Sequence, residues 1–92
     1  MEINFERFEM PEGLVKKGFK EMNVKEAFAD GLYRNGVGVA CHALAMKIYN
    51  SEGSTEYTDK EYRIMLEYAE ACCTPRVIDA IRNLKKEEDG KG

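Results

Sequence analysis

A chain of 92 residues has room for one domain, and a domain of that size buries only a modest share of its surface. Apolar residues make up 43% of it, enough for a core. Charged residues make up 34%, mixed in sign and summing to −3, which argues against the basic excess of a dedicated nucleic-acid or membrane-surface binder.

The chain opens strand-like. Ile3 and Phe5 alternate with Glu2, Asn4 and Glu6, as on a half-buried strand. Phe8 and Met10 continue with the opposite parity, which predicts a bulge or twist near Glu6-Arg7. Pro11-Glu12-Gly13 is a turn signal. Leu14 to Met22 reads two ways: a short helix weakened by Gly18, or a second strand that completes a hairpin.

From Asn23 the helical signals sharpen. Asn23 and Glu26 have the spacing of a capping box, and Val24, Ala27, Phe28, Gly31 and Leu32 share one face, so a first helix is expected from about Val24 to Arg34. Asn35-Gly36 is its natural stop. A second helix is expected from Val37 or Gly38 to Tyr49, with one long helix through both glycines as the alternative; two interior glycines would cost about 1 kcal/mol each. Its stripe of Val37, Ala40, Cys41, Leu44, Ala45 and Ile48 is widened by Val39, Ala43 and Met46 to nearly the whole circumference. Such a helix is buried or covered by a second subunit.

After a polar loop over residues 50–57, Thr58 and Glu61 form a capping box, with Tyr57 placed to staple onto Tyr62. Tyr62, Met65, Leu66, Ala69 and Cys73 give the third helix its core stripe. Thr74-Pro75 ends that helix and starts a fourth, because proline disfavours helical geometry in the residue before it and suits the first helical position. Val77, Ile78, Ile81 and Leu84 form its buried face, and residues 87–92 read as a charged, disordered tail. The expected fold is mainly α: four helices, orthogonal or bundle-like, in a single domain over residues 1–86 whose strand-like arm covers residues 1–22. The runner-up is an α+β fold with a genuine N-terminal hairpin on the helices.

Candidate chemistry is sparse. Cys41 and His42 are neighbours on one helix and point about 100° apart, so they cannot pair with each other; His42 could meet Cys72 or Cys73 only across a helix interface. Two directly adjacent pairs do not have the spacing of zinc ligands, and three cysteines with two adjacent make a poor disulfide framework, so free thiols in a reducing compartment are expected. No phosphate loop, dinucleotide fingerprint or nucleophile elbow occurs. The expectation is therefore no enzyme, no metal and no cofactor. Met1 to Met10 lacks the basic start and apolar core of a secretion signal, and Val37 to Met46 is far short of the roughly 20 residues that span a bilayer; a cytoplasmic protein without a membrane partner is expected.

The last two helices outline a helix-turn-helix, with Arg76, Arg82, Lys85 and Lys86 on the second. Asp59, Glu61, Glu67 and Glu70 on the third helix and Glu87, Glu88 and Asp89 beyond the fourth would repel phosphates, so DNA binding is kept as the alternative to a protein-interaction or assembly module. Tyrosines and methionines, five of each, are favoured at interfaces.

The runs "VKEAFADGLYRNGVGVACHALAMKIY", "SEGSTEYTDKE" and "CCTPRVIDAI" resemble small uncharacterised proteins of phage and prophage gene clusters. That resemblance implies a role in phage morphogenesis and carries over no functional residue. Self-association as a symmetric homodimer is expected through the arm residues Ile3, Phe5, Phe8 and Met10 or the second-helix residues Val37, Leu44 and Ile48. The opposing expectation is a monomer whose arm folds back over the helices and hides the same side chains.

Overall fold

A computed structural model describes the backbone of residues 1–91 and the side chains of residues 1–88. Four helices carry the fold: α1 (Lys25–Asn35), α2 (Val39–Tyr49), α3 (Asp59–Cys72) and α4 (Pro75–Lys91). Four short strands, β1 (Glu2–Ile3), β2 (Phe8–Pro11), β3 (Phe19–Met22) and β4 (Thr55–Glu56), form two antiparallel pairs, β1 with β4 and β2 with β3. The parity change in the first ten residues marks a full turn rather than a bulge. Asn4 Oδ1 accepts from the backbone N–H groups of Glu6 and Arg7 at 3.0 and 3.2 Å, and this Asx turn sends β1 and β2 into different sheets. The ambiguous segment over residues 14–22 resolves as a loop and a strand: Phe8 pairs with Met22 and Pro11 with Phe19, so the hairpin is real.

The arm is stitched to the body at both ends. Met1 nitrogen donates to Glu56 Oε1 at 2.7 Å and to the Tyr57 carbonyl at 3.0 Å, and the Tyr57 N–H returns a bond to the Met1 carbonyl at 2.7 Å. Glu6 accepts from the Gly53 N–H at 2.7 Å and pairs with Lys25 at 3.4 Å, contacts that hold its carboxyl below the usual range. Between these anchors the aromatic rings close the core. Phe5 stacks on Phe8 and Phe28 at centroid distances of 5.5 and 5.2 Å, Tyr57 meets Phe5 edge-on at 5.8 Å, and Tyr68 meets Phe28 edge-on at 5.2 Å. Leu32, Leu44, Ile48, Met65, Ala69 and Ile81 complete the interior.

The helix boundaries follow local chemistry. The Thr58 capping box is formed: its hydroxyl accepts from the Glu61 N–H at 3.1 Å while Glu61 Oε1 accepts from the Thr58 N–H at 2.8 Å. The Asn23 box is not. Val24 occupies the cap position, its N–H spent on the Phe5 carbonyl at 2.8 Å, and Asn23 bonds the Lys25 N–H at 3.2 Å instead. The chain breaks between α1 and α2, where Gly38 takes φ 94°, a left-handed value that disfavours any side chain. At Gly31 a methyl group would collide with the Tyr68 hydroxyl, so this glycine sets the approach of α3 to α1. The charged segment expected to be a disordered tail continues α4 to Lys91, and residue 92 lies outside the described residues.

Candidate functional site

The arm residues expected at an interface are core residues. Ile3, Phe5, Phe8 and Met10 are all buried within their own chain, as are Leu44 and Ile48 of α2. The reason is the Asx turn, which lets one short arm place both of its apolar faces against helices. Of the seven interface candidates only Val37 stands in solvent, 88% exposed beside Val39 at 85%.

Apolar surface is left uncovered on α1 and α2 as well as on the β2–β3 hairpin. Leu44, Ala45 and Ile48 satisfy the inner side of α2, leaving Ala40, His42, Ala43, Met46 and Tyr49 on its outer side. Tyr33 of α1 rises beside them, its ring 5.6 Å from that of His42. Between the two helices runs a groove of about 370 Å³. Ala29 and Ala45 form its floor, Tyr33, Met46 and Tyr49 its walls, and Glu26 and Asp30 its rim. The alanine floor is the geometric cause: two methyl side chains fill less space than the tyrosines around them. The acidic rim is only weakly neutralised, with Arg34 3.8 Å from Asp30. In volume the groove falls within the roughly 300–1,000 Å³ of small-molecule and cofactor pockets.

No protein-family model, curated protein or solved structure matches this chain. The reading of the surface therefore rests on its own chemistry.

The three thiols lie in different surroundings. Burial pushes the Cys73 thiol up, against a hydrogen bond from Tyr68 that favours its charged form, so it is protonated at neutral pH. Tyr68 is itself raised far above its ordinary value by burial first and by the same hydrogen bond to Cys73 second. Cys41 is half-buried and Cys72 is exposed. His42 packs on Tyr33, while Cys73 lines a separate apolar cavity with Met10, Val24 and Val77. Among the described residues no three His, Cys, Asp or Glu side chains converge as metal ligands, and no helix is long and apolar enough to cross a membrane.

The basic residues of α4 are largely engaged. Arg76 Nε donates to the Pro11 carbonyl at 2.8 Å, Arg82 pairs with Glu70 at 2.6 Å, and Lys85 lies 3.8 Å from Glu88. Lys86 borders a shallow surface pocket that it shares with Lys17 and Asp79. Three of the four side chains of the helix-turn-helix reading thus have partners within the chain.

Sequence reasoning pointed to α2 but not to the groove. Tyr33, Met46 and Tyr49 fell outside the expected interface because the face they share is assembled from two helices, and only the packing of α1 on α2 brings them together. The available signal was the excess of apolar residues around α2 joined to the tyrosine count.

Proposed function

We propose that this protein is a non-catalytic interaction module whose docking surface is the α1–α2 face, and that its occupant is an apolar segment flanked by basic residues. One observation carries the reading: a contiguous apolar groove walled by Tyr33, Met46 and Tyr49 lies open to solvent under an acidic rim of Glu26 and Asp30. Exposed aromatic and methionine side chains around a concave floor are the composition of interface centres, where a few large anchors carry most of the affinity. The acidic rim selects against acidic segments and steers basic ones. An assembly role in a phage or prophage setting, as the sequence resemblance implies, is part of the same proposal.

Selection from a displayed random-peptide library tests it. Peptides enriched on the wild-type protein are expected to combine apolar residues with Lys or Arg and to lose binding to Met46→Glu, which leaves the buried side of α2 untouched. Peptides that bind the variant equally well, or a selection that yields no binders, would overturn the assignment.

A further inference from the structure

The most exposed large apolar side chains of the molecule lie outside the groove. Leu14 is 90% and Val15 97% exposed, side by side in the loop that joins β2 to β3. Two such residues at a loop tip are costly to leave in water, at about 1.5–3 kcal/mol for each side chain that finds burial elsewhere. The base of this loop is fixed. The Glu12 N–H donates to the Gly18 carbonyl at 2.9 Å, Lys16 pairs with Glu12 at 2.8 Å, and Arg76 of α4 holds the Pro11 carbonyl. The loop is thus a supported prong; Lys16, paired with Glu12, and Lys17 follow its apolar tip in sequence, and exposed Lys20 lies on β3 beyond it.

Prong and groove are complementary. The prong offers two branched aliphatic side chains flanked by lysines; the groove offers an apolar trough rimmed by Glu26 and Asp30. They belong to different parts of the fold, since the prong stands on the hairpin braced by α4 and the groove lies on the α1–α2 pair. We propose that the prong of one molecule inserts Leu14 and Val15 into the α1–α2 groove of a second copy, giving a head-to-tail contact. This inference rests on the docking surface proposed above and names its occupant. A contact of one surface with a different surface leaves a free prong at one end and a free groove at the other, so association continues beyond two copies unless the geometry closes a ring. A symmetric homodimer is the competing arrangement. A loop tip in a trough is a small interface, so the affinity is weak and the contact becomes populated at high local concentration.

Sedimentation velocity separates the outcomes. The wild-type protein is expected to show an average mass that climbs with concentration in the high-micromolar range. The Leu14→Asp/Val15→Asp variant and the Met46→Glu variant are each expected to remain monomeric with unchanged circular dichroism, because all three side chains are exposed. Mixed one to one, they are expected to form a heterodimer and nothing larger: one retains the prong, the other the groove, and a single contact remains. Lys17→Glu/Lys20→Glu, which leaves the Lys16–Glu12 pair intact, is expected to weaken wild-type association, and adding Glu26→Lys/Asp30→Lys on the partner to recover it. A wild-type protein that stays monomeric, or a mixture that fails to restore the contact, overturns the proposal. A dimer that survives Leu14→Asp/Val15→Asp but not Met46→Glu overturns it while leaving the docking face standing. Binding of wild-type protein to vesicles of anionic lipid that depends on Leu14 and Val15, without self-association, would assign the prong to a membrane surface instead.

Discussion

Replacing Glu61 by alanine should cost this protein a disproportionate share of its stability, because one carboxylate joins two helices. Its Oε1 accepts the Thr58 N–H at 2.8 Å, closing the cap of α3, and both oxygens accept from Lys47 Nζ of α2 at 2.9 and 3.2 Å. Lys47 in turn lies 4.7 Å from the centre of the Tyr57 ring, so losing its anion also loosens that cation–π contact. A lost cap bond is worth about 1 kcal/mol, and a partly exposed ion pair about 0.5 kcal/mol. The sum of roughly 1.5 kcal/mol corresponds, at roughly 4–8 °C per kcal/mol for a domain of this size, to a fall in Tm of roughly 6–12 °C. Thermal unfolding followed by circular dichroism at neutral pH reads it directly. The pH dependence is a second check. Burial pushes the Glu61 carboxyl up, but the hydrogen bonds from the Thr58 N–H and Lys47 outweigh it and hold it below its ordinary value of 4.5. A carboxylate whose folded value is lowered contributes stability above its unfolded value and loses that contribution as pH falls through the folded one. The Tm difference between wild type and Glu61→Ala should therefore close as pH drops below 4.5. A variant that melts within about 2 °C of wild type at neutral pH, or a gap that persists into acid, would refute the reasoning.

Tyr57→Phe should be neutral or stabilising by up to about 1 kcal/mol, a sign opposite to most core substitutions. The Tyr57 hydroxyl is buried, and although Ser51 and Thr55 lie near enough to influence its ionisation, neither completes a well-formed hydrogen bond, while the ring contacts survive the change; a clear fall in Tm would show that the hydroxyl is satisfied. Leu32→Ala should cost about 2–5 kcal/mol, since Leu32 is completely buried between α1 and the rest of the core; denaturant melts that put the loss below about 1 kcal/mol would contradict that placement. With Arg76 and Arg82 engaged by surface contacts of their own chain, a duplex oligonucleotide should bind no better than non-specifically. Tight binding that falls steeply with salt and is lost on Lys85→Glu/Lys86→Glu would restore the helix-turn-helix reading.

Much of the fold is legible in the sequence because its signals are local. The Thr58–Glu61 box, the Thr74-Pro75 junction and the Gly36–Gly38 break each act within a few residues and appear where their spacing places them. The arm was harder. Alternation in Ile3, Phe5, Phe8 and Met10 announces burial on two faces, but whether a second chain or the chain's own helices provide it depends on the Asn4 turn and on bonds to Gly53 and Tyr57, some 50 residues away. Asn23 looked like a helix cap because cap and Asx-turn chemistry use the same side-chain oxygen, and the Val24 N–H bond to Phe5 decides between them. The groove was the least legible feature. Ala45 reads as an ordinary core alanine and Ala29 falls outside the face expected of the first helix; their smallness becomes a cavity only when α1 and α2 lie side by side.

Methyl NMR of the full chain, titrated with a synthetic peptide of residues 11–20, tests the docking face most directly. The peptide PEGLVKKGFK is a basic, apolar segment of the class the groove is proposed to take. The methyl groups of Ala29, Ala45 and Met46 should shift saturably with peptide, those of Met65 and Leu32 in the interior should stay in place, and Met46→Glu should abolish the response. Shifts that spread through the interior, or that leave Ala45 and Met46 untouched while another surface responds, would contradict the assignment of the α1–α2 face as the place where this protein meets its partner.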